Sequence, residues 1–588
     1  MKKLFYAIAF FGVLTFSGCA LNQMVKLAQD QNLTVTPNPL EVHADTVSFE
    51  VSANLPVKML KKGKVYTLNT FYKYGDSESA LEPMQFKAED YPNADSQQPK
   101  TSKNYAMAYS PAMKTGSLEV QGVASDPKNG KSKESARMAV APGVITTSKL
   151  VQPVYYAAYA DHGYNNKEEL IPTKVDFFFD QGRSTLKFSE QTSKRGKKLN
   201  AFIAAKNATK TVTITGTHSP EGAERINTKL AKDRAVAIEN YYKRQMKKYD
   251  YKGLADSIQF IAKDIVRDWK PFKDSLALYN GIDSEAKSAY LDIVNGAGTF
   301  EEKEDQLHKL PTYKKVLKEL YPKLRVAKTE ILNVKEKKTD AEISVLAKQI
   351  ADGTASADTL SEEELMYAAT LTPSLKEKEA IYMAATKKSG SWVAHNNLGA
   401  VYIAMAMEGD AMANADKAQA QLEIAANKNA SAEVHANLAS VALMKGNAYK
   451  AYEHLMKASG GSSEMAQGVN GVKGAVEIMI ANYPSAVKST SGAANTAVNL
   501  FNKGLAQTLN KDYQNALTSF KEAASKDSNM GLAYYGAAIA SARLGQENGV
   551  IENLTNAVKA TPSLKGDALE DLEFQKYFSN DAFRNALK

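Results

Sequence analysis

Polar and apolar residues alternate along Thr46-Val47-Ser48-Phe49-Glu50-Val51 and again along Leu118-Glu119-Val120-Gln121. A period of two puts every second side chain on one face, so both stretches are expected as strands with one face buried. Turn-forming runs such as Thr36-Pro37-Asn38-Pro39 and Asp126-Pro127-Lys128-Asn129-Gly130 lie between such stretches. Residues 33–153 therefore predict an all-β, sandwich-like module. From about 172 the pattern changes to alternating strands and helices. Val175 to Phe179, with three consecutive phenylalanines, predicts a core strand. A helix over about 189–206 is expected to bury Leu199, Phe202 and Ile203, and Thr211 to Thr215 alternates as a strand. After the loop His218-Ser219-Pro220-Glu221-Gly222 comes a long helix with Ile226, Leu230, Ile238 and Tyr241 near one face. Ile258 to Ile265 and Leu324 to Leu332 read as further strands, with a helical insertion over about 268–320 between them. These elements predict an α/β unit over residues 172–335.

Beyond about 360 the chain is alanine-rich, helical and periodic. Ala418, Ala451, Ala486, Ala516 and Val550 recur at spacings of 33, 35, 30 and 34. Leu422, Leu455, Phe520 and Leu554 follow four residues after four of those positions, and Ala425, Ala458, Ala523 and Ala557 three residues later again. Partner helices recur as His395-Asn396-Asn397-Leu398-Gly399 and His435-Ala436-Asn437-Leu438-Ala439. Small residues at a period near 34 resemble tetratricopeptide repeats, in which small side chains let two helices pack closely. About five units are expected between 378 and 562 within a solenoid over 360–588. The unit at Tyr483-Pro484-Ser485-Ala486 is expected to be short, because Ser489-Thr490-Ser491-Gly492 cuts its second helix.

The N-terminus has a different pattern. Lys2 and Lys3 precede an apolar stretch, Leu4 to Phe16, and then the small residues Ser17-Gly18 before Cys19. That order is a secretory signal, and it is shorter than the ~18 to 20 apolar residues a spanning helix needs. Cys19 is the only cysteine in 588 residues, so it forms no internal disulfide. The ending resembles the bacterial lipobox, which implies cleavage after residue 18 and acylation of Cys19. Several acyl chains hold a protein on a membrane where one binds only reversibly. Residues 19–32 then serve as a tether to the outer membrane, and the neutral Ala20-Leu21-Asn22-Gln23 after the cysteine favours the periplasmic side.

Composition narrows the function further. With 44% hydrophobic and 24% charged residues the chain is globular. Loss of Lys2 and Lys3 lowers the net charge from +9 to +7, a small excess over this length. No basic stripe with interleaved aromatics appears, which argues against nucleic acid as a partner. The seven histidines form no ligand spacing, so no metal or other cofactor is expected. No nucleophile motif, phosphate loop or paired acids appear either, which argues against an enzyme.

Asp176-Phe177-Phe178-Phe179-Asp180, Thr213 to Gly222 and Asn227-Thr228-Lys229-Leu230-Ala231-Lys232-Asp233-Arg234-Ala235 together resemble the OmpA-like C-terminal domain, which binds peptidoglycan. Gly216, Gly222, Asn227, Leu230, Arg234 and Ala235 match its signature without a gap. The resemblance implies that a loop aspartate and the helix arginine grip the zwitterionic end of the peptide stem. Here Ser219 stands in place of the aspartate, and a charge-assisted hydrogen bond is worth roughly 1.5 to 3 kcal/mol. Ser219, Glu221, Asn227 and Arg234 are the candidate wall-binding residues, with Glu221 the candidate replacement for the missing charge. Two readings follow: a lipoprotein tying membrane to wall while its repeats dock a protein partner, or an assembly scaffold whose OmpA-like domain has lost the wall. On the repeats, Asn396, Ser440, Tyr535 and Arg543 are the residues expected to face a partner.

Overall fold

The N-terminal alternation becomes two facing sheets. The computed structural model describes residues 20–588, so Cys19 and the apolar segment before it lie outside the described residues. The strands are β1 (Asn32–Thr36), β2 (Leu40–His43), β3 (Thr46–Asn54), β4 (Val65–Tyr74), β5 (Ser77–Lys87), β6 (Lys100–Ala108), β7 (Ser117–Asp126), β8 (Lys131–Glu134), β9 (Met138–Pro142) and β10 (Val144–Ile145). One sheet pairs β3 with β1, β2 and β6 and sets β10 beside β2; the other pairs β4 with β5 and β7, and β7 with β8 and β9. β3 buries Val47, Phe49, Val51 and Ala53 while Ser48 and Glu50 face solvent. Those side chains meet Tyr66, Leu68 and Tyr72 of β4 and Leu118 and Val120 of β7 in one core, as strict alternation requires of a half-buried strand.

The helical region begins at Asp340, earlier than the alanine-rich composition indicates, with helices Asp340–Ala351, Glu362–Ala368 and Leu375–Lys388. Helix pairs follow: Trp392–Glu408 with Ala411–Lys428, Ala432–Met444 with Ala448–Leu455, Ser463–Met479 with Tyr483–Ser491, Ala497–Leu509 with Tyr513–Lys526, and Gly531–Arg543 with Glu547–Ala560. Ser391, Ser431, Ser462 and Thr496 cap the first helix of four pairs, each side chain accepting a backbone N–H three residues on. The recurring Ala418, Ala451, Ala486, Ala516 and Val550 are all fully buried. The large residues four places on explain the glycines opposite. A β-carbon on Gly399 would lie 2.7 Å from Leu422, and one on Gly504 2.8 Å from Phe520. In the third pair the second helix stops at Gly492 after nine residues. Ala451→Leu is expected to overpack its pair and lower stability by about 1 to 3 kcal/mol. Thermal denaturation read by circular dichroism checks this, and an unchanged midpoint would show that Ala451 is not at a close contact.

The β module and the helices belong to one unit, the chain up to Tyr164 joined to Asp340–Lys588, and Asn165–Thr339 forms the second unit. The central unit is therefore an insertion in the sequence of the first.

In the central unit, β11 (Leu170–Phe178), β12 (Thr209–Gly216), β13 (Gln259–Asp264) and β14 (Val326–Val334) lie in the order β11-β14-β12-β13. β12 and β13 run parallel; the other pairs are antiparallel. Helices Lys194–Ala204 and Glu224–Lys248 bury Leu199, Ile203, Ile238 and Tyr241 against Val175, Phe177, Val212 and Ile214. The inward stripe of the long helix runs Asn227, Ala231, Arg234, Ala235, Ile238, Tyr241 and Tyr242. Ile226 falls off that stripe in the first turn and is exposed, contrary to the expected face. At the end of β12, a β-carbon on Gly216 would lie 1.9 Å from the Ala231 carbonyl oxygen, so only glycine lets the helix approach this strand. The insertion supplies helices Lys270–Ala277, Ser284–Asn295, Phe300–Leu307 and Tyr313–Glu319 around its own core of Trp269, Phe272, Tyr290 and Tyr321.

Candidate functional site

The close approach at Gly216 brings the start of the long helix under the loop that follows β12. That loop is tied down from both sides. Thr217 donates its hydroxyl to the Leu324 carbonyl at 2.6 Å, and Asn227 donates its amide to the Glu221 and Gly222 carbonyls at 3.2 and 3.1 Å. Arg325, which sequence reasoning did not single out, donates from Nε to Ser219 Oγ at 2.9 Å and from Nη2 to Glu221 Oε1 at 2.6 Å. It sits just before β14, whose pairing with β12 places it beside the loop, a proximity with no local sequence signal.

Arg234 points into the same region but presents no free fork. Its Nη1 donates to the Thr217 carbonyl at 2.8 Å, its Nε to Arg183 at 3.0 Å and its Nη2 to Asp180 at 3.2 Å. The side chain is 1% exposed and lies over the Phe179 ring at 5.5 Å. Burial, helped by the nearby Arg325 charge and opposed by Glu221, draws the guanidinium down to about 10. It is still charged at neutral pH and is solvated by carbonyl dipoles instead of water. His218 packs its ring edge-on against Phe300 of the insertion at 5.6 Å, and burial lowers its pKa.

The fold thus assembles Ser219, Glu221, Asn227 and Arg234, as the resemblance implies, but with different tasks. Glu221 is neutralised by Arg325, Ser219 is buried under the same guanidinium, Asn227 closes its own loop, and Arg234 is occupied by main-chain carbonyls. A peptide-stem carboxylate would have to displace backbone acceptors from Arg234, and an ammonium would have to compete with Arg325 for Glu221. Arg234, the candidate grip on the peptide stem, is thus a buried residue that organises the loop.

The residues assigned to a partner on the repeats are also engaged within the chain. After β10 and a 3-10 turn over Thr147–Leu150, the segment 151–164 runs along the first helices of the pairs, and a ladder of side chains holds its main chain. Gln152 exchanges N–H and C=O bonds with Asn502 at 3.0 and 2.7 Å. Tyr156 does the same with Ser440 at 3.0 and 2.8 Å, and Ala160 with Asn397 at 2.7 and 3.0 Å. Ala158 donates to Asn437 at 2.7 Å and accepts from Asn437 and Asn396 at 2.8 and 3.0 Å. Tyr535 donates to Asp571 at 2.8 Å, and Arg543 bridges Glu573 and Glu41. Asn396, Ser440, Tyr535 and Arg543 thus hold the chain's own segment, its C-terminal turn and β2. Asn397, Asn437 and Asn502 belong to the same ladder and were missed; the Asn-x-small spacing shared by the first helices of the first, second and fourth pairs was the available signal. Among the described residues no helix is long and apolar enough to cross a membrane, and no group of three or more His, Cys, Asp or Glu is placed to hold a metal ion.

No protein-family model and no curated protein matches the chain. Solved structures that resemble part of it include the C-terminal part of a TPR repeat-containing protein from Cytophaga hutchinsonii, 17% identical, covering 42% of this chain and 92% of that one with a TM-score of 0.27. Another is pilF of Pseudomonas aeruginosa, 15% identical over 41% and 99% at 0.30. A third is a tetratricopeptide repeat protein from Parabacteroides merdae, 15% identical over 38% and 97% at 0.27. Superpositions this loose add nothing to the helical repeat assignment, which stands on the packing of the pairs themselves.

Proposed function

We propose that this protein is a non-enzymatic scaffold of the bacterial envelope, exported and held by lipid at Cys19, whose repeat unit docks a protein partner and whose central unit no longer grips the cell wall. The observation that favours a scaffold over a wall tether is the capture of Arg234 by three backbone carbonyls, together with the absence of a carboxylate at Ser219. The export and lipid anchor rest on the lipobox-like ending at the sole cysteine.

Sedimentation of the full chain with purified sacculi tests the choice. The protein is expected to stay in the supernatant, and Ser219→Asp is expected to leave it there, because a carboxylate at 219 would pair with Arg325 while Arg234 stays turned inward. Wild-type protein in the pellet would restore the wall tether. For the anchor, Cys19→Ala is expected to abolish acyl labelling and release the protein from the outer-membrane fraction; a mutant that labels and fractionates normally would rule the lipid out.

A further inference from the structure

The inner groove of the helix pairs is filled by residues of the same chain, and the way it is filled describes what the groove recognises. The clasps fall on Gln152, Tyr156, Ala158 and Ala160, always on the same parity of an extended segment. Each uses both the N–H and the C=O of the clasped residue, which is the pattern an extended strand offers on one edge. Side chains add apolar packing, with Val154, Tyr155 and Tyr156 against the core of the helix pairs. Ala158 and Ala160 are buried, and the Tyr156 ring lies where a β-carbon on Gly468 would come within 2.3 Å. Tyr159, on the other parity, is 41% exposed and stacks on Tyr382. Asn396, Asn397, Asn437, Ser440 and Asn502 are all buried; Asn396 donates to Asn397 and Asn437 to Asn396, and with the segment removed the row loses every bond it makes to main chain. Such a row carries a standing demand for a main chain.

We infer that residues 150–164 are an exchangeable internal ligand, and that the groove takes an extended segment of a partner protein, with small residues at the positions of Ala158 and Ala160, when this strap is out. The strap is covalently attached at both ends, so it competes at an effective concentration on the order of millimolar, and a free peptide meets a groove that is closed most of the time. Displacement has a place to start. Where the strap leaves the β module an open cavity of about 530 Å³ lies between Lys149, Val151, Tyr449 and Ile480. The inference rests on the scaffold reading for the existence of a partner; the experiment below reads the groove directly, so its failure would leave the sacculus and fractionation results standing.

The test uses the full chain and a fluorescently labelled synthetic peptide of residues 150–162. Ala158→Pro/Ala160→Pro removes the two N–H donors that Asn437 and Asn397 accept and takes the strap out of register. That variant is expected to bind the peptide at least tenfold more tightly than wild type, and adding Asn437→Ala is expected to abolish the gain. As a second route, a protease site placed at the exposed Gly163 and then cut should raise peptide binding in the otherwise unchanged chain. Equal binding by wild type and the strap variant would overturn the proposal, as would no binding by a strap variant whose Trp392 fluorescence and helicity are intact. Collapse of the helix pairs in both the proline variant and the nicked protein would show the strap to be part of the core and also reject it. Concentration-dependent dimers in place of peptide uptake would assign the groove to a second copy of this chain, against the proposal.

Discussion

Arg234→Ala is expected to unfold the central unit, at a loss of about 3 to 5 kcal/mol, instead of silencing a binding site. The substitution leaves the buried Thr217 carbonyl and the part-buried Arg183 carbonyl without their donor, while the Asp180 carbonyl keeps the Arg183 N–H, and an orphaned buried group costs roughly 1 to 3 kcal/mol. It also opens a cavity under the loop, where Arg234 is among the largest fully buried side chains. Arg234→Lys is expected to recover little, since one ammonium cannot reach three acceptors spread around a planar fork. The chain has two tryptophans, and Trp269 stacks on Phe300 in the insertion at 4.4 Å. Urea denaturation in a Trp392→Phe background therefore reports the central unit alone. A transition at the wild-type midpoint in Arg234→Ala would show that the carbonyl clasp is dispensable.

The same unit is expected to lose stability between pH 4.5 and 7. Glu304 is buried, and burial, reinforced by Glu221 and Asp305 and opposed by the hydroxyls of Tyr313 and Tyr321, pushes its carboxyl up to about 7. Tyr313 donates to Oε1 at 2.7 Å and Tyr321 to Oε2 at 2.9 Å, with His308 Nε2 3.3 Å from Oε1. A carboxyl whose folded pKa is raised favours the fold while protonated. Its contribution is full below the ordinary value near 4.5 and is lost as pH rises through about 7, up to about 3 kcal/mol in all. The Trp269 transition should fall to lower urea between pH 5 and pH 8 by that order of energy. Glu304→Gln, which keeps an acceptor for one tyrosine, should flatten the dependence. A wild-type midpoint independent of pH, or a Gln variant with an undiminished slope, would dismiss Glu304 as its source.

Local patterns in the sequence translated well where one periodic element meets one partner. The alternation of Thr46 to Val51 describes β3, and the small residues at Ala418 and Ala451 mark helix contacts, with Gly399 opposite the first and Ala439 in the same core as the second. What was hidden depends on contacts between distant residues. Arg325 and Ser219 are 106 residues apart, and nothing near either announces the other. The partner face failed for a related reason: Asn396 and Ser440 have the right residue types for main-chain recognition, but whether their ligand belongs to another protein is not encoded in their own helices. The segment holding Ala157 and Ala158 is short, polar at its end and outside every repeat, so its sequence carries no periodic signal. Ile226 misled because apolar residues in a first turn need not continue onto the packed stripe.

The strap reaches its clasps across 237 residues at Asn397 and 350 at Asn502, and Arg543 reaches Glu41 across 502. During synthesis the ligand is made long before its groove, and β2 long before the arginine that locks it. Loop closure over such distances grows only slowly in free energy with length, yet it makes assembly slow and late. A chain shortened by its last two helix pairs would keep the clasps at Ala158 and Ala160 but lose those at Gln152 and Glu41. Damage at the C-terminus should therefore appear first as protease sensitivity at residues 146–154, in the N-terminal third of the sequence.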